Sequence, residues 1–218
     1  MRVKSFDTPH KGLRNIISQF VGLAGQTDYA DLAQLNKLKL LGVEMFGLLN
    51  DHVNTENELT LKALEEKVPG AAAHDLHDHE LLEAEQGALQ QQLALLNGEQ
   101  NSDETHQFYL DASLFQSRYF EHIYHEETVT ERLLQDNFTD EELLTHRLKI
   151  FQKIPFPTML QWLKYIVPAQ QETASVGLLS ALKANAPKEA FDAVLATIQP
   201  EMNAEAYNSL VAKLSILK

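Results

Sequence analysis

Four long stretches of this chain repeat their apolar residues every three or four positions, and no stretch shows period-two alternation bounded by hairpin turns. That pattern restricts the fold to helices packed on helices, because a half-buried strand needs the two-residue period. The punctuation agrees. In "FDTPHKGLRNIISQFVGLAG", Thr8 suits an N-cap, Pro9 the first helical position, and Gly22 and Gly25 the end of the helix. The second segment runs from near Asp28 to Pro69-Gly70, long enough that a bend after Glu58 is expected. The third covers roughly residues 71–96 and stops at Asn97-Gly98; the fourth runs from about Asp103 to Gln135. Four such helices joined by short polar loops predict an up-down-up-down four-helix bundle in an all-α protein.

After "DNFTDEEL" the texture changes. Thr139 and Glu142 form a capping-box pattern, and Pro155, Pro157, Pro168, Pro187 and Pro200 separate shorter helices. The expected division is a four-helix bundle over residues 1–137 and a C-terminal bundle of shorter helices over 138–218, packed on it. With 218 residues, 44% of them hydrophobic, the chain can supply one large domain and a smaller appendage.

Charge and composition narrow the function. The net charge of −13, from 18 basic and 31 acidic side chains, argues against a nucleic-acid partner, which needs clustered Lys and Arg. The absence of cysteine excludes disulfides, thiolate metal sites and Cys nucleophiles, and suits a reducing compartment. "MRVKSFDTPHKGLR" lacks the apolar stretch of a signal peptide, and "TMLQWLKYIVPA", the most lipid-like segment, is short and contains Lys164. It reads as a buried helix. A soluble, cytoplasmic protein with no membrane partner is expected.

The leucine stripes carry the chemistry. Stepping along each helix gives His10, Leu13, Ile17, Phe20 on the first and Leu38, Leu41, Met45, Leu48, His52, Glu56, Leu59, Ala63 on the second. The third gives Leu76, His79, Leu82, Leu89, Leu93, Leu96, interrupted by Gln86, and the fourth Phe115, Tyr119, His122, Glu126, Val129, Leu133. Every long helix puts one histidine in line with its apolar residues. Four residues advance a helix by about 400°, so His52 and Glu56, like His122 and Glu126, lie within about 40° on one face. Carboxylates and imidazoles among leucines are costly unless they share a compensation, and a pair of cations would supply it.

Taken singly, most histidines have an ordinary reading. His106 and His146 read as surface or hydrogen-bonded residues, His74 and His77 fall off the leucine stripe, and His125 is ambiguous. Glu58, Glu80 and Glu127 read as exposed acids. Two familiar metal motifs fail on spacing: no histidine has Glu three positions earlier, as ferritin-like di-iron sites require, and "HELLE" and "HEETV" lack the second histidine of a zinc-protease helix.

The remaining pattern resembles the hemerythrin-like (HHE cation-binding) family, through "PHKGLR" (His10), "DHVNTENE" (His52, Glu56), "DHELLE" (His79) and "FEHIYHEET" (His122, Glu126). The resemblance covers residues 1–137, and the proline-punctuated tail is similar to the extension of a bacterial subset of that family. It implies a non-haem di-iron centre, oxo- or hydroxo-bridged, with His10, His52, His79 and His122 as terminal ligands and Glu56 and Glu126 as bridges. The sequence departs from the oxygen carriers of the family at Glu83 and Glu127, where those proteins have a further histidine and an aspartate. Glu83, His125 and Glu127 are reserve ligands. The expected function is that of a binding protein, not an enzyme: it binds oxygen or a related small ligand, or senses iron or redox state. The alternative is a di-iron peroxidase or oxidase acting on peroxide, oxygen or nitric oxide. A third reading has no metal, with the histidines in a polar core network and the C-terminal extension as the surface for a protein partner.

Overall fold

In the computed structural model, which describes residues 2–216, the secondary structure is helical throughout, with no strand among the described residues. The first helix, α1, spans Asp7–Gln26; it runs through Gly22 and Gly25, which were expected to end it. A glycine is tolerated inside a helix, and closure comes instead from Thr27, whose N–H and hydroxyl both donate to the Leu23 carbonyl. The chain then forms α2 (Leu32–Thr55), capped by the Asp31 carboxylate, which accepts from the N–H groups of Ala33 and Gln34.

Around Glu58, where the sequence suggested a bend, residues Glu56–Leu61 form a π-helical segment, π1, that leads without a break into α3 (Lys62–Lys67). After the turn at Gly70, whose φ of +87° suits glycine, α4 spans Ala73–Leu95. Gly98, at φ +93°, turns the chain into α5 (Ser102–His125), which opens on a capping box between Asn101 and Glu104. A second π segment, π2 (Glu126–Thr130), continues α5 into α6 (Glu131–Asn137).

The two π segments correct two of the expected stripes. Downstream of Glu56 the buried residues are Thr60, Leu61 and Leu64, where Leu59 and Ala63 were expected. Downstream of Glu126 they are Thr130, Glu131 and Leu134, while Val129 is 43% exposed. A π turn closes i→i+5 bonds and takes in one additional residue, so the inward face restarts one position later. On α4 the inward residue near the start is Asp75, not Leu76. The α1 stripe of His10, Leu13, Ile17 and Phe20 is fully buried as expected.

Close contacts divide the chain into two units: residues up to Asp7 with Ile16–Lys153, and Thr8–Asn15 with residues from Ile154 onward. In the first unit, α4 packs against α2 and α5, and α3 against α6. The Phe20 ring meets Phe46 of α2 and Phe108 of α5 edge-on, at centroid distances of 5.9 and 6.2 Å. Helix α7 (Asp140–Lys153), capped by the Thr139–Glu142 exchange, belongs to this unit, although the sequence suggested a division at residue 138.

The second unit contains α8 (Phe156–Ala169), α9 (Glu172–Asn185), α10 (Lys188–Ile198) and α11 (Ala204–Ile216). Its core gathers Leu163, Val167, Leu179, Phe191, Val194, Ile198, Leu210 and Leu214. Pro155 and Pro187 sit at helix N-caps, Pro157 in the first turn of α8 and Pro168 at its end. Helix α8 holds the "TMLQWLKYIVPA" segment, with Trp162, Leu163, Tyr165, Ile166 and Val167 buried. Among the described residues no helix is long and apolar enough to cross a membrane.

Glu131 shows how the shifted register supports the fold. Buried at the start of α6, its carboxylate accepts from the N–H groups of Ser5 (2.8 Å) and Phe6 (3.2 Å), just before α1. Removing it by Glu131→Ala would leave two N–H groups without their acceptor, each worth about 1–3 kcal/mol when buried. Urea unfolding is expected to show a loss on the order of 2 kcal/mol, with helix content unchanged in the absence of denaturant.

Candidate metal centre

Each π segment begins at one of the two glutamates singled out in the sequence. His52 and Glu56 straddle the junction of α2 and π1, and His122 and Glu126 that of α5 and π2. Upstream of each junction the α-helical spacing keeps histidine and glutamate on one face; downstream the wide turn resets the stripe. The glutamates therefore face inward without pushing the following leucines out of the core.

The result is a buried cluster within the first unit. Ligating atoms of Glu56, His79, His122 and Glu126 all lie within 4.8 Å of one another, and His52, Glu56 and Glu126 satisfy the same limit. His52 Nε2 is 3.2 Å from Glu56 Oε2, and His79 Nε2 is 3.5 Å from that same oxygen. His79 Nε2 also lies 3.6 Å from Glu126 Oε1, and His122 Nε2 lies 3.3 Å from Glu126 Oε2. Each carboxylate thus stands between two imidazoles, with His79 common to both. Glu126 is 0% and Glu56 4% exposed. His10 is fully buried as well, in the opening turns of α1 that belong to the second unit.

These separations suit a shared cation better than direct hydrogen bonds. Charge-assisted N–H···O bonds close to about 2.7–2.9 Å, whereas donors held at roughly 2.1 Å from one ion, about 90–109° apart, lie about 3.0–3.4 Å from each other. His79 Nε2, both ring nitrogens of His122 and the Tyr119 hydroxyl are buried without a hydrogen-bond partner among the described residues. Imidazole and carboxylate donors without thiolate suit first-row divalent metals. The buried cluster can hold a metal ion.

The neighbouring groups orient the ligands. The Asn57 side-chain oxygen lies 2.7 Å from His79 Nδ1; in the tautomer that donates there, Nε2 is left as the ligand atom facing the carboxylates. Asp78 Oδ2 lies 3.5 Å from His122 Nδ1. Gln86, which interrupts the leucine stripe, donates to Asn50 Oδ1 at 2.7 Å and is satisfied there. Tyr119 packs its ring 6.1 Å from that of His122; burial first, and then the charges of Glu56 and Glu126, hold its phenol well above the ordinary range, so it stays protonated.

Protonation in the absence of metal is uneven. Burial lowers the pKa of His79, but contacts with Glu126 and Glu56 outweigh it and raise the value to about 10. Burial and then the charge of His79 lower His122 to about 4. A proton is thus favoured on His79, beside the two carboxylates, and disfavoured on His122.

The reserve ligands stay outside this cluster. Glu83 is exposed, Glu127 is half-buried and belongs to neither group, and His125 turns to Asp75, with its Nδ1 2.9 Å from Asp75 Oδ1. His77 and His106 are exposed, and His146 pairs with the Thr60 hydroxyl at 3.1 Å. Sequence reasoning missed Asn57, Asp75 and Asp78 and gave Tyr119 only a packing role. A usable signal existed for Asp75: the alternating steps of four and three through residues 93, 89, 86, 82 and 79 arrive at 75. The chain matches no protein-family model, no curated protein and no solved structure.

Deleting Glu58, an exposed residue inside π1, would return the segment to α-helical register and take Asn57 from His79. Far-UV circular dichroism is expected to be unchanged while metal affinity falls roughly 10–100-fold, the usual effect of losing an orienting partner; undiminished affinity in equilibrium dialysis would contradict the role given to π1. The His79 proton makes a second expectation. A folded-state pKa of about 10 against about 6.5 unfolded gives stability that is full below pH 6.5 and lost as pH rises toward 10. Melting temperatures of metal-free protein should therefore fall across that interval, and those of metal-loaded protein, where the ion replaces the proton, should fall less.

Proposed function

We propose that this chain is a hemerythrin-like metal protein whose first unit is a four-helix bundle around a di-iron centre, and that it binds oxygen or a related small ligand or senses iron and redox state. One observation carries the reading: Glu56, His79, His122 and Glu126, from three different helical stretches, bring ligating atoms within 4.8 Å of one another in a buried interior. Their order along the chain is the order that the family resemblance implies. Iron is the choice of that resemblance; the donor set suits it and does not single it out.

Bound iron supplies affinity for a small oxygen-type ligand and a change of oxidation state. The chain's own residues prepare the place. Glu56 stands between His52 and His79, and Glu126 between His79 and His122, so each carboxylate would be within reach of the ions that two imidazoles hold. Asn57 holds the His79 ring in the orientation that presents Nε2. Tyr119, with its hydroxyl buried and its phenol held neutral, offers a hydrogen-bond donor to a small ligand. The ligand side chains are themselves buried, and restricted access of water favours a reversible binder over an open catalytic pocket.

The test is metal content with an absorption spectrum under air. Protein loaded with Fe(II) is expected to hold two irons per chain. Glu56→Ala and Glu126→Ala should each strip most of that iron, because each carboxylate reaches two imidazoles, and His77→Ala should strip none. Equal iron in all three variants would contradict the ligand assignment. Addition of peroxide separates binder from enzyme: a stable absorbing adduct supports the proposal, and turnover with an electron donor would make the protein a peroxidase instead.

A further inference from the structure

Outside the buried cluster, the first unit contains another group of metal-capable side chains. Ligating atoms of His74, Asp75 and His125 lie within 4.8 Å of one another. His125 Nδ1 is 2.9 Å and His74 Nδ1 3.6 Å from the same oxygen, Asp75 Oδ1. The two imidazole rings stack at 3.9 Å with 23° between their planes. The other Asp75 oxygen accepts from the Thr130 hydroxyl at 2.5 Å, which leaves Oδ1 directed at the imidazoles. Asp78 stands beside them, its Oδ2 3.5 Å from His74 Nδ1. His125 thus meets Asp75 at hydrogen-bond distance, while His74 stands farther from the same oxygen, and all three groups keep ligating atoms within reach of one small ion.

We infer that His74, Asp75 and His125 form a second cation site, at the solvent edge of the first unit, which takes divalent metal from solution and passes it by way of Asp78 toward the buried cluster. Exposure grades along the route. The His74 side chain is 57% exposed, Asp78 27%, and His122 only 2%. Asp78 Oδ2 is 3.5 Å from His74 Nδ1 and also 3.5 Å from His122 Nδ1, so one carboxylate oxygen adjoins both sites. The two stacked imidazoles both face one buried carboxylate. A divalent ion satisfies all three groups at once with the imidazoles neutral. The outer site needs only these side chains; the handover also rests on the buried cluster being a metal centre.

Zinc is the probe, since it is redox-inert and takes both donor types. Wild type, His74→Ala/His125→Ala and Glu56→Gln/Glu126→Gln would be titrated with Zn²⁺ against a chelating indicator, and zinc uptake followed at limiting metal. Wild type is expected to show one rapidly exchanging ion beyond those held slowly. The His74/His125 variant should lose that ion and load the buried cluster at least 5-fold more slowly, and the Glu56/Glu126 variant should keep it. The single variant His74→Ala, at an exposed position, gives the same reading should the double variant fold poorly. Equal stoichiometry in wild type and the His74/His125 variant would overturn the site, leaving the stacked pair as a hydrogen-bonded clamp on Asp75. Loss of the rapid ion with unchanged loading would overturn the handover alone. A wild type with the rapid ion and no slow one would overturn the proposed function and the handover, and would support the outer site.

Discussion

Two carboxylates buried among leucines are the constraint from which the rest of the first unit follows. Removing an ionised carboxylate from water costs several kcal/mol even after relaxation, and a fold tolerates it only where positive charge or close donors meet it. Glu126 has no exposed surface and Glu56 almost none. Around them stand His52, His79 and His122, all buried. Asn57 contacts His79, and Tyr119 lies within reach of the charges of Glu56 and Glu126.

The π segments are the backbone's part of the same arrangement. A regular helix keeps a histidine and a glutamate four positions apart on one side, but it then presents position 59 or 129, not 60 or 130, to the interior. Beginning a π turn at each glutamate separates two requirements: ligand spacing upstream and packing downstream. The outer polar groups use the same turns. Thr130, the last residue of π2, donates to Asp75, and Asn57, the second residue of π1, receives His79. Wide turns are uncommon and concentrate at functional sites. Two of them, each starting at a buried glutamate, tie the backbone to the cluster.

This accounts for what was readable in the sequence and what was not. Where the helix is regular, residue spacing located the interior: His10 to Phe20 on α1, Leu38 to Glu56 on α2, Phe115 to Glu126 on α5. Past each glutamate the expected stripe slipped by one residue, because a π turn is set by backbone bonding and leaves no mark in residue type. Asp75 lost to Leu76 because an apolar residue is the better guess for an inward position when two neighbours both fit the period. The shorter C-terminal helices were legible from prolines, whose missing N–H confines them to helix starts and ends. Asn57 and Asp78 were not legible; their types are common on surfaces, and only their neighbours in space distinguish them.

A metal-free polar network is the other way to hold such a cluster, with a proton on His79 meeting both carboxylates. Such a network must place protons on histidines to meet the carboxylates. The rings of His79 and His122 stand 4.7 Å apart, and the charge of a protonated His79 helps push His122 down to about 4. Protons on neighbouring imidazoles therefore oppose one another, and adding the second costs more than the first. A cation works in the other direction. It binds neutral imidazoles and ionised carboxylates together, so each ligand that joins favours the state the others need. The spacing of 3.2–3.6 Å between nitrogen and oxygen, too long for strong hydrogen bonds, suits groups that could share an ion.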